Sequence, residues 1–212
     1  MPHVPELLAP AGDREKLETA LAYGADAVYL GGGSLDLRAQ ARGFATEGEL
    51  AAAARLVAAR GKRLYYCLNA LPRQAQLPLV EERLRLLARV RDATGAPHGV
   101  IAASPGVAAL ARRLCPEVGL HVSTQANVQT AADALAWADA GARRVNLARE
   151  LGREDMAAVA GALAHGGPEV EVFVHGAMCM AVSGQCLLSA QLNDRTANQG
   201  ACTHPCRFEY RE

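Results

Sequence analysis

The feature that most restricts what this chain can fold into is a repeat. Six times a short apolar run gives way to small or polar residues, then to an amphipathic stretch; a seventh apolar run follows. The runs cover residues 5–10, 25–31, 63–69, 99–103, 119–124, 143–148 and 170–174. Asp13, Thr46, Ser104 and Thr130 stand where a helix N-cap is needed. Thr46-x-x-Glu49 has the form of a capping box, in which each side chain bonds the other residue's orphan amide. Gly24, Gly61 and Gly141 stand where three of those helices must end, and Gly95 where the helix that starts near Pro78 must end. A helical crossover returns the chain to the same end of the sheet, so successive strands are expected to lie parallel. No Gly-x-Gly-x-x-Gly follows any run, which disfavours an open dinucleotide-binding sheet. The expected fold is α/β, a TIM-type (β/α) barrel of about seven strands over residues 1–175, with a cysteine-rich segment over 176–212 closing its mouth. A full barrel needs an eighth strand; either it is missing from this chain, or the cysteine-rich segment takes its place.

Chemistry in such a barrel collects at the carboxyl ends of the strands. The polar residues assigned there are Glu6, Arg38, Asn69, Gln125, Asn127, Arg149 and Glu150 as substrate-binding groups, with Glu171 and His175 as proton-transfer groups. Glu171 and His175 share one strand parity, as do Gln125 and Asn127, so each pair can point one way. An inward Glu171 would be a buried carboxylate, and Arg149 is its expected partner.

Four of the six cysteines, Cys179, Cys186, Cys202 and Cys206, follow the seventh run at the spacing C-x6-C-x15-C-x3-C. Thiolates hold either an iron–sulfur cluster or a structural zinc, to which His175 and His204 could add imidazole. A nucleophilic Cys179 beside His175 is a further possibility, which leaves three neighbouring thiols unexplained. Cys67 and Cys115 read as small buried hydrophobes. Acidic and basic residues balance at 22 each, and all but two of the basic ones are arginine. Balanced charge argues against a broad phosphate-binding face on this chain alone. No run is long and apolar enough to insert in a membrane, so the expected setting is the cytoplasm, where clustered cysteines are metal ligands or catalytic thiols more often than disulfides.

Several phrases carry a resemblance: PELLAPAGDREKLETALAYGADAVYLGG, LHVSTQANV, VNLARELG and above all EVFVHGAMCMAVSGQCLLS followed by NQGACTHPCR. Together they resemble the collagenase-like peptidase family U32 over nearly the whole chain. The resemblance implies an N-terminal barrel and two classes of activity. One is oxygen-independent hydroxylation of a tRNA uridine, an rRNA cytidine or a ubiquinone precursor, with a prephenate-like donor. The other is cysteine- or metal-dependent proteolysis. It further implies a 4Fe–4S cluster, with zinc as the alternative, on Cys179, Cys186, Cys202 and Cys206, carboxylate clamping by Arg38 and Arg149, and proton movement by His175 and Glu171. A related subunit is an implied partner, and with it a third reading in which the chain is a non-catalytic iron–sulfur half of a pair. Relatives extend well past position 212, and Ala103-Ser104-Pro105-Gly106 stands where an Asp-Pro-Gly type turn is expected.

Overall fold

A computed structural model of the chain describes residues 4–33, 35–37 and 43–211. Strands and helices alternate: β1 (Leu8–Pro10), α1 (Arg14–Ala22), β2 (Ala27–Leu30), α2 (Glu47–Ala59), β3 (Arg63–Cys67), α3 (Leu77–Thr94) and β4 (Gly99–Ala102) come first. They are followed by α4 (Pro105–Leu114), β5 (Gly119–Val122), α5 (Ala131–Asp139), β6 (Ala142–Asn146), α6 (Arg153–Leu163), β7 (Glu169–Glu171) and α7 (Leu188–Asn193). The seven strands form one parallel sheet in the order of the chain.

Local chemistry explains most boundaries. Asp13 caps α1 by accepting from the Lys16 amide at 2.9 Å. Thr46 and Glu49 form the capping box of α2, and Thr130 with Asp133 forms another on α5. Ser104 caps α4, with Pro105 at its first turn, where a missing N–H costs nothing. The helix α3 ends at Gly95, whose φ of 79° suits a residue without a side chain.

Each strand divides its side chains between two faces. Val28, Leu30, Leu64, Tyr66, Val100, Leu120, Val122 and Val145 point out and pack with Leu17, Leu50, Val57, Leu84 and Leu87 of the helices, forming the main core. Each fully buried leucine or valine there stabilises the fold by roughly 1.5–3 kcal/mol. The opposite face turns inward, where Ala27, Tyr65, Cys67 and Ile101 form a smaller cluster against Leu8 and Tyr29. Gly99 lies on this face because nothing larger fits: a Cβ would come within 2.8 Å of the His121 ring.

The sheet does not close on its own backbone. β1 pairs only with β2, and β7 only with β6, among the described residues. Among the described residues the cysteine-rich segment supplies no eighth strand: it contains α7 and short 3-10 turns at Val182–Gly184, Ala197–Gln199 and Pro205–Arg207. What spans the curl inside is an ion pair, in which Arg144 of β6 donates to Glu6, just ahead of β1, at 2.7 Å.

Candidate active site at the strand ends

The inner surface has a charged floor and a polar rim. On the floor, Arg144 donates to Glu6 at 2.7 Å and to Glu169 at 2.8 Å, and the Tyr65 hydroxyl donates to Glu6 at 3.0 Å. Arg63, the first residue of β3, also pairs with Glu6. The Arg144 guanidinium lies 5.1 Å from the Tyr65 ring centroid, and that ring is 4.5 Å from His121. Burial pushes the Tyr65 hydroxyl up to about 12. Glu6 therefore sits at the amino end of its strand, not at the carboxyl end where the sequence reading put it. Its partners are Arg63 and Tyr65 of β3 and Arg144 of β6, so it belongs to the bracing of the floor.

His121 is 7% exposed, and its Nδ1 has no partner. Burial, with Arg144, Arg143 and Arg63 nearby, drives its pKa down to about 3. The unfolded chain takes up a proton near pH 6.5 while the folded chain refuses it until about 3, so stability falls as pH drops through that window. Between pH 6.5 and 5 the loss should be about 2 kcal/mol. Urea unfolding of the protein and of His121→Phe measures it: the variant should show a shallower acid loss over this range. Equal slopes would mean that His121 does not control the effect.

The rim lies at the strand ends. Asn146 closes β6 and donates to Glu171 at 2.7 Å, while Arg144 reaches the same carboxylate at 3.6 Å. Burial raises the Glu171 pKa, against the pull of Arg144 and Asn146. The cation beside Glu171 is thus Arg144, not Arg149. Arg149 donates to the Ala177 carbonyl at 3.1 Å, and its guanidinium stands 5.6 Å from the Phe173 ring centroid. His175 is exposed. Arg38 lies outside the described residues.

Most remaining rim residues hold the cysteine-rich segment. Ser183, fully buried in a left-handed turn at φ 47°, gives its hydroxyl to Asn127 at 2.8 Å and its amide to Glu150. Although burial acts the other way, the Ser183 amide and hydroxyl hold the Glu150 carboxyl below its ordinary range. Gly184 follows at φ 74°, close over the Gln125 side chain, and Gln185 donates to the Gln125 carbonyl at 2.9 Å. A second clamp lies beyond β3: the Leu71 amide donates to Asn198 at 3.0 Å, Gln199 donates to Gln76 at 3.0 Å, and Arg73 donates to Thr196 at 3.3 Å. Asn69 accepts from the Leu37 amide at 3.2 Å. Gln125, Asn127, Arg149 and Glu150 thus converge on the segment, while Asn69 belongs to the loop after β2.

Within the segment, Cys179, Cys186 and Cys202 are partly buried and Cys206 is exposed. Two sulfurs accept amides two residues on: Cys186 from Leu188 at 3.3 Å and Cys202 from His204 at 3.4 Å. Cys202 also accepts from the Ser189 hydroxyl at 3.6 Å. Four thiols in one segment are the donor type that an iron–sulfur centre takes. Among the described residues no three histidine, cysteine, aspartate or glutamate side chains are drawn to one point. Cys115 is buried, which lifts its thiol to about 11, and Cys67 is buried on the inner face.

Sequence reasoning missed Asn146, His121, Phe173 and Ser183. Inward parity on β5 and β6 could have found the first two, and the Ser183-Gly184 dipeptide is a turn signal.

Residues 12–212 match the model of peptidase family U32. The chain belongs to that family. The tRNA hydroxylation protein P of Helicobacter pylori is 41% identical over 205 residues, which is 97% of this chain and 47% of that protein. The 23S rRNA 5-hydroxycytidine C2501 synthase of Escherichia coli K12 is 33% identical over 98% of this chain and 30% of its own length. The chain thus spans less than half of either relative. The solved structure of the U32 peptidase Mk0906 superposes with a TM-score of 0.62 at 16% identity, over 80% of this chain and 68% of that one, so it speaks for the shared barrel-like fold. No helix of the U32 chain among the described residues is long and apolar enough to cross a membrane.

Proposed function

We propose that this U32 chain forms the catalytic mouth of an enzyme that hydroxylates a pyrimidine base in tRNA or rRNA without molecular oxygen. The observation carrying this reading is the cysteine-rich segment clamped across the strand ends, above an inward carboxylate, in a chain 41% identical to a tRNA hydroxylation protein. Cys179, Cys186, Cys202 and Cys206 would hold a 4Fe–4S cluster, with zinc as the alternative metal. Bound there, the cluster would supply one-electron chemistry next to the substrate ring.

Replacing a ring C–H by C–OH without oxygen gas is a two-electron oxidation, so the molecule that furnishes the hydroxyl must also be reduced: a prephenate-like carboxylate is the donor proposed, which would give up its C–OH bond and take the electron pair and a proton in return. Arg149, whose guanidinium lies 5.6 Å from the Phe173 ring centroid, would clamp such a carboxylate. Glu171, its pKa raised by burial, holds or accepts the proton displaced from the ring. His175, exposed at the lip, exchanges protons with solvent. A quinone precursor remains the alternative aromatic substrate, and a related subunit an alternative partner.

The test pairs anaerobic purification with nucleoside mass spectrometry of tRNA and rRNA incubated with the protein and donor. Expected are iron and sulfide bound to the chain and one added oxygen on a pyrimidine nucleoside. Peptide cleavage in air by a metal-free chain, with no hydroxylated nucleoside, would establish the peptidase reading instead. None of Cys179, Cys186 and Cys202 hydrogen-bonds a histidine ring among the described residues, the contact that a cysteine-type hydrolase requires.

A further inference from the structure

Three buried polar side chains on the inner wall have an atom with no partner: His121 Nδ1, Gln125 Oε1 and Asn146 Oδ1. They are 7%, 6% and 7% exposed. An unmet buried polar atom costs about 1–3 kcal/mol, so three on β5, in the turn after it and at the end of the neighbouring β6 call for something that meets them. The Asn146 orientation is fixed by chemistry. Glu171 is an acceptor when ionised, so the amide must offer it Nδ2, which leaves Oδ1 facing the interior as an acceptor.

Two residues beyond Glu171 stands Phe173, 45% exposed, with the Arg149 guanidinium 5.6 Å from its ring centroid. A half-exposed aromatic ring backed by a cation is a surface on which a planar heterocycle stacks, since unpaired bases are held on aromatic faces and arginine planes. The stacking platform just past β7 neighbours the unmet Asn146 acceptor at the end of β6, and His121 and Gln125 follow on β5 and in the turn after it.

We propose that this wall is a nucleobase pocket, in which a flipped-out pyrimidine stacks on Phe173 while Asn146 Oδ1, beside the Glu171 carboxylate, receives an N–H of its edge. Phe173 and Asn146 become specificity-determining residues, His121 forms the neutral floor beneath the ring, and Gln125 lines the side under the Gly184 turn. The inference rests on the RNA-hydroxylation reading for its choice of ring, but the pocket is defined by its own contacts. The shared chemistry is a pyrimidine bearing an N–H on its edge, met by uridine through N3–H and by cytidine through its amino group.

Saturation-transfer NMR on the intact chain, with uridine, cytidine, N3-methyluridine and ribose 5-phosphate as probes, tests the pocket without any turnover. Uridine or cytidine should bind, and whichever binds more tightly names the base. Ribose 5-phosphate should not bind, and N3-methyluridine should bind at least about tenfold more weakly than uridine. Phe173→Leu should weaken the binding nucleoside by about five- to a hundredfold, the range of one stacked base, and Phe173→Trp should restore it. Asn146→Leu should abolish the distinction between uridine and its N3-methyl form. Unchanged binding in Phe173→Leu, or no nucleoside binding by a chain that still hydroxylates RNA, overturns the pocket and leaves the function standing. Nucleoside binding that responds to Phe173 and Asn146 in a chain that modifies no RNA upholds the pocket and overturns the function.

Discussion

Replacing any one of Cys179, Cys186 or Cys202 with alanine should cut the iron bound per chain by at least about tenfold and remove RNA hydroxylation with it. Cysteine-bound iron centres need each thiolate, and no spare sulfur lies beside these: Cys67 and Cys115 are buried elsewhere, in the inner cluster and the helix core. Cys67→Ala and Cys115→Ala are therefore the controls and should keep their iron. Iron analysis after anaerobic purification reads the result directly. Full hydroxylation by an iron-free Cys202→Ala chain would remove the cluster from the mechanism.

The second large effect concerns the floor. Arg144→Met should lower the unfolding free energy by about 3–5 kcal/mol, the usual consequence of leaving a buried charge without its partner. The Arg144 and Glu6 side chains are 9% and 11% exposed, so water can replace little of what is lost. The bond to Glu169 matters less, because that carboxylate is 64% exposed and already solvated. Adding Glu6→Gln to Arg144→Met should recover part of the stability, since the variant then no longer buries a carboxylate held by Arg63 and Tyr65 alone. Urea unfolding of the two variants separates the cases: a double variant no more stable than the single one would show that Arg144 acts through packing on Tyr65 and not through charge.

Features that depend on neighbours in the chain could be read from the sequence, and features that depend on distant residues could not. The Thr46–Glu49 box, the Asp13 cap and the stop at Gly95 are settled within one helical turn, and they form where the sequence puts them. Glu6 was assigned to the wrong end because β1 is short. Pro10 marks where that strand stops, so a residue four positions earlier had to face the other rim. The partner of Glu171 is one strand away, and choosing Arg144 over Arg149 requires the β6–β7 register, which aligns Asn146 with Glu171. The Ser183 turn was harder still. Its side chain fits only because Asn127 and Glu150 come from two other loops.

The sheet has one property that bears on how the protein is made. Its strands lie in space in the same order as in the chain, so each new strand docks on the one synthesised just before it. Every strand pairing can form as residues leave the ribosome, without waiting for a strand from elsewhere in the chain. The event that must wait is a side-chain one. Arg144 meets Glu6 only after 138 further residues have emerged, and with that bond the growing ribbon acquires its curvature.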